Sequence, residues 1–335
     1  MDTPVLISHK TAWLVHHAPR NLVQAVAQRD YQIGARGLST QQRVARIRQA
    51  LADCGILSTV LKTIDISVVF AFERIRANGV NCHVLGQNLP YDHIDELTPG
   101  IFITDEALTF VFAAEWMDRI EYLEYGYEVC GDYRMGFSPS DPYTEQPATI
   151  SKDEIVELLD RHPGKPGATR ARLALRHIYD HSASPMETAS AIALSLPTSE
   201  GGVGIRGVEL NKPLEIPKRL WHCTKARTLK IDAFITYKRR ELGIEYKGGF
   251  HDEVERKGAD AEREAALAQM GYRIVTLTSA QFSNQLAFHR AMNSIREALG
   301  MPRCTDADYQ RKQNELRKVL IRNWKSDQAE ESPSE

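Results

Sequence analysis

Cysteine is scarce in this chain of 335 residues, with only Cys54, Cys82, Cys130, Cys223 and Cys304. Their number is odd and no two stand in a Cys-x-x-Cys spacing, so a disulfide framework is not expected. Free thiols in a reducing cytoplasm are the predicted state. The sequence also lacks any apolar run near the ~20 residues that span a bilayer, which excludes a membrane partner of that kind. The opening Met1-Asp-Thr-Pro-Val-Leu-Ile7 has no basic region followed by an apolar segment, so no secretory leader is expected. Internal repeats are missing too. A strong charge of one sign is likewise lacking: the net charge is −2, which excludes a polycation. Hydrophobic residues make up 42%, the composition of a globular protein, and the length suffices for two domains with their own cores.

What is present is a local concentration of positive charge. Between Pro217 and Gly248 stand nine basic residues (Lys218, Arg219, Lys225, Arg227, Lys230, Lys238, Arg239, Arg240 and Lys247) against Asp232, Glu241 and Glu245, an excess of six. A basic frame around a few acids suits a phosphate backbone meeting a cation; a solvated charged hairpin has the same composition.

The organisation follows from periodicity and punctuation. The chain is expected to be α/β, with a separate α+β domain over residues 1–138 and a linker over 139–150 marked by Pro139, Pro142 and Pro147. A second α/β domain over 151–303, a basic C-terminal helix over 304–327 and a disordered acidic tail over 328–335 complete the expected plan. In the first domain, Ser39 to Ala52 has helical spacing, Asp65 to Phe72 and Asn81 to Leu85 read as strands, and Thr104 is the expected cap of a helix running to Trp116. Ser151-Lys-Asp-Glu154 is a capping box opening a helix to Asp160, and a long helix is expected from Thr169 to about Asp180. From Ser184 the order reads helix, strand, strand, strand, helix, strand. The last three are a strand in Lys230–His251, a helix from Ala259 to Met270 closed by Gly271, and a strand from Tyr272 to Leu277. Further helices are expected from Ala287 to Leu299 and from Asp306 to Trp324.

The chemistry concentrates in Lys230–His251, which reads as two strands joined by a short charged turn. Residues two apart in a strand share a side, so Glu245 and Lys247 project together and Asp232 on the adjoining strand reaches the same face. Two carboxylates and an ammonium at one sheet end suit a hard divalent ion, Mg²⁺ or Mn²⁺, set against a phosphodiester. The Tyr246 carbonyl would be a further ligand, and Lys247 would orient water or stabilise negative charge. An ordinary hairpin with a cross-strand Glu–Lys pair competes with this reading. It leaves Asp232 unexplained, an acid inside the apolar run Leu229-Lys-Ile-Asp-Ala-Phe-Ile235.

The segment from about Gly167 to Arg303 resembles the restriction-endonuclease-like PD-(D/E)xK fold, and within it domains related to very-short-patch (Vsr-like) mismatch-repair endonucleases. The residues that carry the likeness are Ser184-Pro-Met-Glu187, Asp232, Glu245-Tyr-Lys-Gly-Gly-Phe-His251, Asp260-Ala-Glu-Arg263 and Gly271-Tyr-Arg-Ile-Val275. The resemblance implies a mixed sheet flanked by helices and a metal-dependent endodeoxyribonuclease acting in bacterial defence or DNA repair, with DNA as partner. It makes Glu187 a metal ligand, whereas Ser184-x-x-Glu187 is equally a capping box. His251 is implied as a proton carrier or phosphate contact, and Arg263 and Asp260 as a prop for the site or a surface pair. Two departures stand out: Ile231 replaces the name-giving proline, and Lys247 stands where many of these relatives carry an acid. The alternative function is a non-catalytic DNA-binding regulator or toxin–antitoxin component that keeps the fold. The first domain faintly resembles abortive-infection antitoxin proteins of the AbiEi type, which implies target recognition or regulation, with a second copy or an antitoxin-type protein as partner.

Other signals lead nowhere. Gly202-Val-Gly-Ile-Arg-Gly207 matches a dinucleotide fingerprint but neither follows a strand nor opens a helix. His16-His17 and His222-Cys223 are adjacent pairs without a second half, which does not suit zinc.

Overall fold

The computed structural model describes residues 5–33, 35, 37–56, 59–138, 141–222, 224, 226–248 and 254–322, and of residues 137, 138, 141 and 254–261 the backbone alone. The chain is of mixed α/β construction and divides into two compact units.

The first unit holds β1 (Val5–Ile7), α1 (His9–His17), α2 (Arg20–Ala27), α3 (Thr40–Asp53), β2 (Ile64–Val68), β3 (Val80–Val84), β4 (Ile94–Thr98), β5 (Ile101–Thr104), α4 (Glu106–Ala113) and α5 (Arg119–Val129). The strands form one sheet in the order β3-β2-β1-β5-β4. Alternation along the strands sends Val5 and Ile7, Ile64 and Ile66, and Ile101 and Ile103 into a core with Ala12 and Val15 of α1 and Ile47 and Leu51 of α3. Ser39 caps α3 with a full capping box to Gln42. The expected cap at Thr104 is corrected: Thr104 stays in β5, and Asp105 caps α4 by accepting the Leu108 amide at 2.8 Å. Aspartate one residue later meets the same need for an acceptor at the helix start. The adjacent histidines are structural. His16 Nε2 meets the Thr104 carbonyl at 2.8 Å, and His17 Nε2 meets Glu128 at 2.9 Å. Arg134 pairs with Glu106 at 2.6 Å, so these buried charges compensate one another.

β6 (Tyr133–Ser138) and β7 (Asp141–Glu145) form a two-stranded ribbon, followed by α6 (Lys152–Arg161) and α7 (Ala168–Ala174). The proline-bearing stretch expected as a linker therefore carries a strand, because Pro142 sits in a two-stranded ribbon where few ladder bonds are asked of it. The long helix expected to reach Asp180 is only the seven residues of α7. The unit boundary also falls elsewhere than at 139–150. Residues 148–176, with α6 and α7, cluster with the first unit, whereas Cys130–Tyr133 and Glu145–Pro147 cluster with the second.

The second unit continues with α8 (Pro185–Ser195), β8 (Val208–Glu215), β9 (Thr228–Tyr237), β10 (Arg240–Lys247), α9 (Val254–Gln269), β11 (Ile274–Thr278), α10 (Ser279–Ser283), α11 (Gln285–Ala298) and α12 (Ala307–Leu320). Its sheet runs β11-β10-β9-β8. β8, β9 and β10 are antiparallel neighbours, whereas β11 is parallel to β10, which requires the α9 crossover between them. Ala266 and Leu267 of α9 join Leu229, Ile231 and Phe234 of β9 in one apolar cluster. Segment 130–133 is tied in through bonds from the Asp132 amide to the Ser182 carbonyl (2.7 Å) and from the His181 amide to the Cys130 carbonyl (3.0 Å).

The glycine-rich loop after α8 serves packing. The Gly204 amide donates to the Leu196 carbonyl at 2.9 Å, and a Cβ on Gly202 would sit 2.1 Å from that same oxygen.

Candidate active site

The site begins with a fork in the sheet. β9 and β10 pair from Arg240↔Tyr237 to Ile244↔Ala233 and no further, although β9 runs back to Thr228 along β8 and β10 runs on to Lys247 along β11. Asp232 and Glu245 are the next residues on either arm, opposite one another. Opposite residues of an antiparallel pair share a face. Across β8 the pairing likewise passes from Leu210↔Ala233 to Lys212↔Ile231, leaving Asn211 beside Asp232. Asn211, Asp232 and Glu245 thus form a transverse row over three strands.

Each acid has defined partners. The half-buried Asp232 accepts the Tyr246 amide at 2.7 Å, a side-chain bond made where the ladder stops. Glu245 is buried, 7% exposed, and both its oxygens are held by the Arg263 guanidinium at 2.5 and 2.7 Å. Arg263 also donates to the Lys230 carbonyl, so α9 is pinned across the open end of the fork. Glu187, in the first turn of α8, accepts from the Ala183 amide (2.9 Å), the Ser184 hydroxyl (3.1 Å) and the Asn211 side-chain amide (2.6 Å). The expected capping role is amended in detail: Ser184 does cap α8, but the carboxylate serves the Ala183 amide, one residue further back.

Burial, and then the Asp232 charge, push Glu187 up to about 7. Burial raises Asp232, with the Tyr246 amide and Arg263 opposing. Burial also raises Glu245 despite the Arg263 clamp, and Asp232 adds to the rise. Asp232 is therefore close enough to disfavour charge on both other acids, the like-charge effect of carboxylates gathered in one site. Arg263 is the one cation that acts on both Asp232 and Glu245 and comes from outside their strands.

The remaining expected residues fall less centrally. Lys247 is exposed and its ammonium meets Glu264 of α9 at 2.9 Å. The Tyr246 amide donates to Asp232. Asp260 lies on α9, its side chain outside the described residues, and His251 lies outside them altogether. The C-terminal tail is outside them as well. Asn211 was not foreseen, although one signal existed. Its backbone has φ +47, a left-handed conformation that asparagine tolerates better than most residues, and this lets its side chain span Glu187 and the His181 carbonyl.

In kind, the donor set fits a hard divalent cation: carboxylates, no thiols, and a crowding of acids that a cation would relieve. In position it is incomplete. One oxygen from each of Glu187, Asp232 and Glu245 does not come within 4.8 Å of the other two, and Arg263 occupies Glu245. Trp221, on the segment between β8 and β9, is 42% exposed, with Arg227 4.4 Å from its ring and Lys218 6.0 Å away. On α12 three of the cations are committed elsewhere: Arg311 pairs with Asp308 and Glu315, Lys312 with Asp308, and the buried Arg317 donates to the Phe282 and Ser283 carbonyls.

No protein-family model, curated protein or solved structure matches this chain. Among the described residues, no helix is long and apolar enough to cross a membrane.

Proposed function

We propose that the second unit is a metal-dependent endonuclease of the restriction-endonuclease-like kind, hydrolysing DNA phosphodiester bonds. The observation that carries this reading is the gathering of Glu187, Asp232 and Glu245 from three elements, with all three pushed toward their neutral forms. Structural scaffolds seldom gather two further acids under the charge of a third, here Asp232, and functional sites commonly do. The element order from α8 to β11, with β11 parallel to β10, supports the same fold assignment. Asp232 and Glu245, with Glu187, are the residues that would hold Mg²⁺ or Mn²⁺. Such an ion, when bound, supplies neutralisation of phosphate charge and activation of water. Arg263 would move from Glu245 to the phosphate it is suited to grip. Lys247 would turn from the exposed Glu264 to the attacking water, and the cation-flanked Trp221 offers a stacking surface beside the backbone path. The test is nicking of supercoiled plasmid in Mg²⁺. Asp232→Ala and Lys247→Ala are expected to abolish it, and full activity in both would overturn the assignment.

The bidentate Arg263–Glu245 clamp favours a second reading, a DNA-binding regulator that keeps the fold without turnover. It predicts salt-sensitive DNA binding that persists in chelator, with no nicking under any metal.

A further inference from the structure

The first unit brings three ligand-type side chains together from three elements distant in sequence. His9 opens α1, His83 lies on β3, and Glu115 follows the end of α4. One nitrogen or oxygen from each lies within 4.8 Å of the other two, the one such group of three or more found among the described residues. His9 Nε2 stands 3.7 Å from the Glu115 carboxylate. Two ligands on one tetrahedral ion, at roughly 2.0–2.1 Å each, sit about 3.3 Å apart, so this pair needs to close by only a few tenths of an ångström.

Oxygen partners hold both imidazoles from behind. His9 Nδ1 bonds the Ser8 hydroxyl at 2.8 Å, and Ser8 bonds Ser67 at 2.7 Å. His83 Nε2 bonds the Asp65 carboxylate at 3.0 Å, and the Asp65 amide is fixed by Thr11 Oγ1 at 2.7 Å. Such outer partners set tautomer and ring direction in metal-bound histidines. His9 is also backbone-strained, with φ +51 at a non-glycine residue, a cost usually retained where a side chain must be aimed. The His9 ring stacks on His83 with centroids 3.6 Å apart. Imidazole lone pairs lie in the ring plane, so coordination by both requires the half-exposed His83 ring to tilt out of the stack. Glu115 is 40% exposed, which gives an ion a way in.

We propose that His9, His83 and Glu115 form a binding site for a divalent transition-metal ion of the Zn²⁺ class, with a further coordination position left to water. Two imidazoles and one carboxylate, with no thiol, select Zn²⁺ and its neighbours over Mg²⁺ or Ca²⁺. This site is formed by residues of the first unit alone and does not rest on the nuclease reading.

The experiment is calorimetric titration of the full, chelator-stripped chain with Zn²⁺, repeated with Co²⁺ to read the visible band of a coordinated ion. One ion is expected at this site, and the ligand variants separate it from any ion taken up by the carboxylates of the second unit. Glu115→Ala, at an exposed position that tolerates truncation, and His83→Ala should each weaken binding about tenfold or more and bleach the Co²⁺ band, and Asp65→Asn should weaken it by about 10–100-fold. Absence of a stoichiometric event, or unchanged affinity in both ligand variants, would overturn the site.

Discussion

Glu187 is the residue whose titration reaches furthest. Its carboxyl moves from the ordinary 4.5 to about 7 on folding. Over that window the folded chain keeps a proton that the unfolded chain has released, so stability falls as pH rises from about 4.5 to about 7. The loss is of order 3 kcal/mol, since each tenfold gain in proton affinity on folding corresponds to about 1.36 kcal/mol. Glu187→Gln should flatten this slope and leave the protein as stable as wild type, or more so, at pH 8, as read by urea midpoints across the range. A variant that kept the wild-type slope would assign the proton elsewhere. Arg263 makes the converse case. Arg263→Gln strands the buried Glu245, and a loss of about 2–3 kcal/mol is expected at neutral pH, below the roughly 3–5 kcal/mol of a fully enclosed pair because Arg263 is partly exposed. The loss should shrink toward pH 4, where Glu245 takes up a proton, and equal losses at both pH values would contradict it.

At the scale of elements, the loop that seats α8 is a sensitive point. Gly202→Ala places a methyl 2.1 Å from the Leu196 carbonyl and forces backbone to move, whereas Gly204 has open space and only its φ of +83 to satisfy. Gly202→Ala is therefore expected to cost more than about 3 kcal/mol by overpacking and Gly204→Ala about 1 kcal/mol. Equal denaturation midpoints for the two would refute the packing account. The same elements show what could be read in advance. Asp232, Glu245 and Glu187 were legible because an acid inside an apolar strand and an acid at a helix start each need a reason. Ser39, Ser151 and Ser184 announced their helices through local hydrogen bonding alone. The fork was not legible, since pairing is lost between strands that each look regular in sequence. Nor was the His9, His83 and Glu115 cluster, which exists only once the start of α1, β3 and the end of α4 are brought together. α7 fell short of its expected length, and 148–176 joined the first unit, because tertiary packing and not periodicity decides where a short amphipathic segment docks.

For the molecule as a whole, the division into units sets what a fragment can do. A piece spanning residues 151–335 keeps α6 and α7 but not the unit that buries Ile155, Leu158 and Leu159 of α6 and Ala168, Ala171 and Ala174 of α7. It also loses Tyr133, whose hydroxyl meets Thr188 of α8 at 3.0 Å. That fragment is expected to bind a hydrophobic dye and unfold at lower urea than the full chain. A dye-silent fragment with the full-length midpoint would show that the units part where the prolines lie.

The interleaving also has a bearing on synthesis. Segments 130–133 and 145–147 leave the ribosome early but belong with residues from His177 onward. At about 5–20 residues per second, the remaining 159 residues to Glu335 take roughly ten to thirty seconds to emerge. Residues 130–133 meet His181, Ser182 and Thr188 early in that span, but the sheet of the second unit is complete only once β8 to β11 have emerged. That delay is the interval in which a newborn chain is most open to a protease, or to a neighbouring nascent copy that offers the missing half first.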